Sequence, residues 1–263
     1  MRRDIHLKIK WANHHFRNFQ NTLNAFLRSD PCGITPEREP NTHSVFYRVS
    51  NDVVVPDDLA LIAGDVLQNL RSALDYLACS LVSANGGKVT RQTSFPIVEN
   101  VPSTPREERT FARKIHGMRE EAKDLIRACL PYKGGDDVLW RLHELNRRDK
   151  HRLLFTVGGF VDNWNISEHI ARTNPPLDVL ERMGRAYISD DTWTHVRKVS
   201  FPLKAGDVLF VDFPNAPVNE KIKFGVQVAI NEPGICDAEP LIAVLDASIR
   251  RVLQVVKRFD GMY

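Results

Sequence analysis

The chain has 263 residues, enough for one large domain or two small ones with a hydrophobic core. Hydrophobic residues at 43% and charged residues at 26% exclude wholesale disorder, collagen and a disulfide-dense miniprotein. A net charge of +3 is too small for the bulk field alone to hold a nucleic acid, and no apolar run approaches the roughly 18 residues needed to span a bilayer.

The charge is unevenly placed. Residues 1–28 carry six Lys/Arg against one Asp, and residues 141–152 carry five against two acids, so the rest of the chain is slightly acidic. The N-terminal stretch MRRDIHLKIKWANHH has neither an apolar h-region nor a small-residue cleavage site, which sets the expectation of a cytoplasmic protein. Cys32, Cys79, Cys129 and Cys236 show no C-x-x-C spacing. Three lie in apolar stretches, as small core residues in a reducing compartment do.

In chain order, Ile5, Ile9, Ala12, Phe16, Phe19, Leu23 and Phe26 recur at helical spacing and predict a long helix over 5–27, ended by Asp30-Pro31-Cys32-Gly33. Residues 31–43 read as an exposed loop. The β-branched and aromatic run 44–55 reads as a strand or short hairpin. A second long helix begins at Pro56-Asp57-Asp58, where acids meet the positive end of the helix dipole. It carries a stripe from Leu59 to Leu81 and stops at Asn85-Gly86-Gly87.

Residues 88–105 are a loop with Ser94-Phe95-Pro96-Ile97 as an apolar anchor. Shorter helices are expected near 105–116 and 119–130, and another over 136–152 with Asp136-Asp137 at its start. Beyond His151 the pattern turns to strands. Residues 153–161 are strand-like, with Gly158-Gly159 as a bulge. Lys204-Ala205-Gly206-Asp207 separates two arms of a hairpin, and Ile222 to Ile230 alternate apolar and polar. An amphipathic helix over 239–259 closes the chain. The fold class is α+β: a helical part, residues 1–152, with a short β insertion near 44–55, then a β-rich region, residues 153–263, closed by the last helix.

The densest polar cluster is Asn146-Arg147-Arg148-Asp149-Lys150-His151-Arg152. Leu142 and Leu145 define the buried stripe of this helix, and extending it places Asp149 inward, where a carboxylate needs partners. The second long helix offers a matching column, Asp65, Asn69, Ser72 and Tyr76, with Arg71 and Asp75 as an i,i+4 pair beside it. The two helices are expected to pack together, with Asp149 reaching Arg71, Asn69 or another polar group. His151 is the candidate acid–base group, flanked by Arg147 and Asp149. Lys150, Arg152, Asn146, Asp65, Asn69 and Arg71 are candidate ligand-binding residues, the cations suited to phosphate. His14-His15 reads as a surface pair, and His6, His43, His116, His143, His169 and His195 are isolated. No P-loop, G-x-G-x-x-G, H-E-x-x-H or G-x-S-x-G occurs, and neither a metal nor a cofactor is expected.

Gly64-Asp65-x-Leu67-x-Asn69-Leu70-Arg71-x-Ala73-Leu74-Asp75-x-Leu77, then Phe95-Pro96-Ile97, then Leu142-x-Glu144-Leu145 and Asp149-Lys150-His151-Arg152-x-Leu154, resemble a widespread family of bacterial and phage proteins without an established activity. The resemblance covers roughly residues 45–160. More loosely, the helical half is similar to HEPN domains, all-α and often dimeric modules. Many are metal-independent ribonucleases of defence and toxin systems, marked by an arginine, four to six residues, then a histidine. Arg147 and His151 enclose three. This resemblance implies a protein acting on or binding RNA or a nucleotide, as a ribonuclease in phage or host defence or stress, and a homodimer through helices. The competing expectation is a non-enzymatic binding or sequestering protein whose Asp-Lys-His-Arg run is a structural brace.

Overall fold

The computed structural model describes residues 2–154, 156–165, 193–195, 202–222 and 224–263. Its elements are α1 (Arg2–Arg28), β1 (Ile34–Arg38), β2 (Val45–Val49), α2 (Asp57–Ala84), α3 (Pro105–Lys114), α4 (Glu120–Ala128), α5 (Asp137–Asp149), β3 (Thr156–Asn165), β4 (Trp193–His195), β5 (Val208–Val211), β6 (Phe224–Glu232), β7 (Cys236–Pro240) and α6 (Leu241–Arg258). The fold is α+β, and the chain divides into two compact units.

The first unit comprises residues 1–22, 57–155 and 231–263. At its centre lies α2, which buries Leu59, Val66, Leu67, Leu70, Leu74, Leu77 and Leu81 and packs on both α5 and α6. Each such leucine contributes about 1.5–3 kcal/mol on leaving water. The helix stops where expected: Gly86 takes a positive φ of 71°, and the Gly87 amide donates back to the Val82 carbonyl (2.9 Å). Asp136 starts α5 by accepting from the Leu139 amide (3.1 Å), and its carboxylate is also held by Arg251 of α6. Arg141 of α5 reaches Glu239 at the end of β7 (2.8 Å).

The second unit comprises residues 23–56 and 156–230. Its first sheet has the order β1-β2-β5, antiparallel throughout. Val45, Tyr47 and Val49 alternate into a small core with Val53, Leu203, Leu209 and Ala216. In the second sheet β3 lies between β4 and β6, both antiparallel to it. A register shift between Gly158 and Phe160 confirms the bulge at the glycine pair.

Three expectations change. The loop 31–43 contains β1, whose Pro36 lacks an amide and suits an edge strand. The 44–55 strand is no insertion into the helical part. It pairs with β5, about 160 residues later, which puts it in the second unit. The final helix belongs to the first unit, because its apolar stripe packs on α2 and α5. The turn Lys204–Asp207 is present, with Gly206 at φ 90°, while most of the first arm of the expected hairpin lies outside the described residues. Among the described residues no helix is long and apolar enough to cross a membrane.

Candidate functional site

The three segments singled out in sequence meet in the first unit. Arg71 of α2 is buried, and its Nη2 donates to the Phe95 carbonyl (2.9 Å) and to Asp75 Oδ1 (3.0 Å). The same Asp75 oxygen accepts from the Phe95 amide (3.0 Å). The pair expected one turn apart on a helix face therefore grips the Phe95-Pro96-Ile97 anchor, whose three side chains are all buried.

Asp149 also turns toward α2, and meets a glycine. A methyl group at Gly64 would lie 2.5 Å from both carboxylate oxygens, so the missing side chain lets the end of α5 approach. Burial and then the charge of Asp65 push the Asp149 carboxyl above its usual range. The expected partner is missing: among the described residues no hydrogen bond or ion pair reaches Asp149. Arg71 is committed to Asp75 and Phe95. Asn69 donates to the Asp65 carbonyl (2.8 Å) and accepts from Lys8 (3.1 Å). Asp65 itself is largely exposed, its carboxylate 3.6 Å from His15 Nδ1.

The basic run 141–152 is mostly spent inside the molecule. Arg147 pairs with Glu144 three residues before it (2.5 Å). Arg148 (2.5 Å) and Arg152 (2.7 Å) converge on Glu232, a carboxylate with no exposure at all. Arg152, expected as a phosphate ligand, is thus engaged by a buried acid that a linear reading could not place. Lys150 is exposed and has no carboxylate partner among the described residues. His151 sits exposed in the turn after α5, and its backbone amide donates to the Arg148 carbonyl (2.9 Å). No side chain among the described residues is hydrogen-bonded to its imidazole, so nothing there orients it as an acid–base group.

A different cluster forms around Arg71. His143 of α5 lies within the field of Arg71, Lys114, Arg147 and Lys150, and burial together with those cations pushes its pKa down to about 3. Its imidazole is neutral at any physiological pH. Lys114, at the end of α3, is shifted down by burial and by Arg71, against the pull of Asp75. Three buried polar atoms here have no partner among the described residues: Arg71 Nη1, His143 Nδ1 and Asn146 Oδ1. His143 and Asn146 are three apart and share a helix face. Each orphaned atom costs about 1–3 kcal/mol. Four cations meet three carboxylates, Asp75, Glu144 and Glu99, the last acting on Arg147.

Arg71 and Asn146 were legible as candidates. Lys114 has no sequence signal of its own, and His143 reads in the sequence as an isolated histidine. Its position beside Leu142 on the buried stripe was the available signal. Among the described residues no group of three or more His, Cys, Asp or Glu is placed to hold a metal. The chain matches no family model, no curated protein and no solved structure.

Proposed function

We propose that this protein binds the phosphate group of a nucleotide at the cluster of Arg71, Lys114 and His143, as a binder rather than as a catalyst. The observation that carries this is the buried Arg71 guanidinium with one terminal nitrogen unpaired among the described residues, beside Lys114 and His143, both depressed first by burial and then by neighbouring cations. An entering phosphate supplies the acceptors that Arg71 Nη1 lacks and relieves the repulsion among the cations. Arg147 and Lys150 are exposed, and their charges reach His143. Asn146 Oδ1 accepts a hydroxyl from the same ligand.

The binding reading is favoured over catalysis by the two histidines. His151 is exposed and unoriented, and His143 is too weak a base, because a general base works best with a pKa near the operating pH. The test is equilibrium dialysis with AMP, ATP and a single-stranded oligoribonucleotide, with an RNA-cleavage assay run in EDTA. Nucleotide binding weakened about tenfold by Lys114→Met is expected, one charge-assisted bond being worth about 1.5–3 kcal/mol. Absence of nucleotide binding, or binding indifferent to Lys114→Met, overturns the reading. RNA binding without nucleotide binding, with a salt slope near −0.7 per phosphate, replaces it with an RNA surface. RNA cleavage that His151→Ala abolishes would restore the enzyme.

A further inference from the structure

The other side of α2 carries a separate feature that does not depend on the phosphate reading. Asn69, Tyr76 and Ser80 are spaced seven and four apart, so they line one face of α2, toward α1. Between the two helices lies a cleft of about 580 Å³, also lined by Asp4, Leu7, Lys8, Trp11 and Cys79. That volume falls within the roughly 300–1,000 Å³ of small-molecule sites. Its wall is apolar and unusually bare for a monomer surface, with Trp11 54%, Leu7 48% and Tyr76 42% exposed.

Two polar groups in this apolar frame are unfinished. Ser80 is 2% exposed, and its buried hydroxyl has no partner among the described residues, not even the carbonyl one turn back that a helical serine ordinarily uses. Lys8 is half-buried, and among the described residues its ammonium meets one neutral acceptor, Asn69 Oδ1 (3.1 Å), and no carboxylate. An ammonium has three donors, so two remain for a ligand.

We propose that this cleft is a binding site for a small monocarboxylate with an aromatic or aliphatic body. The carboxylate pairs with Lys8, the body covers Trp11, Leu7 and Tyr76, and a polar atom of the ligand meets the Ser80 hydroxyl.

The test titrates the full chain with 3-phenylpropanoate and with the matching alcohol, 3-phenylpropan-1-ol, following tryptophan fluorescence and heat. The acid should bind at least tenfold more tightly than the alcohol, which corresponds to about 1.4 kcal/mol. Lys8→Met, which keeps the aliphatic stem, should erase that preference and leave alcohol binding unchanged. Trp11→Phe should remove the fluorescence response and weaken, without abolishing, the binding seen by heat. Equal binding of acid and alcohol, no binding of either at concentrations on the order of 10 mM, or an acid preference that survives Lys8→Met overturns the proposal. The acid–alcohol comparison needs no variant, so it stands even if Lys8→Met fails to fold.

Discussion

The end of α5 and the centre of α2 treat their cations in opposite ways. At the end of α5 three arginines within six residues each find a carboxylate: Arg147 takes Glu144, while Arg148 and Arg152 share the fully buried Glu232. Around the centre of α2, Arg71 is satisfied on one terminal nitrogen and bare on the other, and its neighbours Lys114 and His143 are driven toward neutrality. The first arrangement closes its electrostatics internally and holds the structure together. The second answers its charge only in part, with Asp75 on one nitrogen of Arg71 and Nη1 left without a partner among the described residues. A high density of positive charge along the chain is therefore a poor guide to where a negative ligand goes. What counts is charge left over after folding, and that is settled by residues far apart in sequence.

The sharpest way to break this comparison is to remove arginines from the closed region. Replacing Arg148 and Arg152 together by Ala takes from a buried carboxylate the two arginines that hold it among the described residues and should cost about 3–5 kcal/mol in urea unfolding. Arg147→Ala, in the same run, should cost no more than about 1 kcal/mol, because its arginine is largely exposed. Equal losses would mean that Glu232 is not the anchor.

The helices were legible because their cause is local. The stripes of α1, α2, α5 and α6 fix both type and extent, and Asn85-Gly86-Gly87 and Asp136 fix ends to within two residues. What escaped is tertiary. Nothing in residues 31–38 announces β1, since a strand with Pro36 and two charged residues is held by its pairing with β2 and by no pattern of its own. The inward turn of Asp149 could be read from helical phase, but the group it meets could not. Phase gives a direction and not a neighbour, and the neighbour is Gly64 instead of a cation. Likewise the arginines of 147–152 were visible, while Glu232, some 80 residues on, was not. Arg71, Lys114 and His143 come from three elements, and no spacing rule joins them.

The open region is tested next, through acid. The folded pKa of His143 is about 3, against an ordinary 6.5 in the unfolded chain. Between those values the unfolded chain binds a proton that the folded one refuses, so stability rises with pH across that window. It should fall by up to about 1.4 kcal/mol per pH unit as the pH drops from 6.5 toward 3. His143→Gln should flatten that limb of the curve. A saturating nucleotide should lift the His143 pKa, read from its imidazole resonances, because the phosphate offsets Arg71, Lys114, Arg147 and Lys150. An imidazole that titrates normally in the free protein would mean that His143 is neither buried nor set among uncompensated cations.

The smallest effect is the most diagnostic of how α2 and α5 meet. Asp149 sits half-buried against Gly64 with no cation paired to it among the described residues, its pKa raised by burial and by Asp65. A raised carboxyl pKa means that the folded state keeps a proton the unfolded chain has already released. Stability is therefore lost as the pH rises from the ordinary 3.8 through the folded value, and the ionised group remains a fixed penalty above it. Asn has the same shape without the charge and clears Gly64 equally well. Asp149→Asn should then raise Tm modestly at pH 7, and the gain should vanish below pH 3.8, where both forms are neutral. Gly64→Ala, which drives the carboxylate out toward water, should reduce the pH dependence of wild-type stability in that same range. If Asp149→Asn instead lowers Tm at pH 7, the carboxylate has a cationic partner in solution. The end of α5 would then be closed at every charge, and the contrast with the Arg71 cluster would be sharper still.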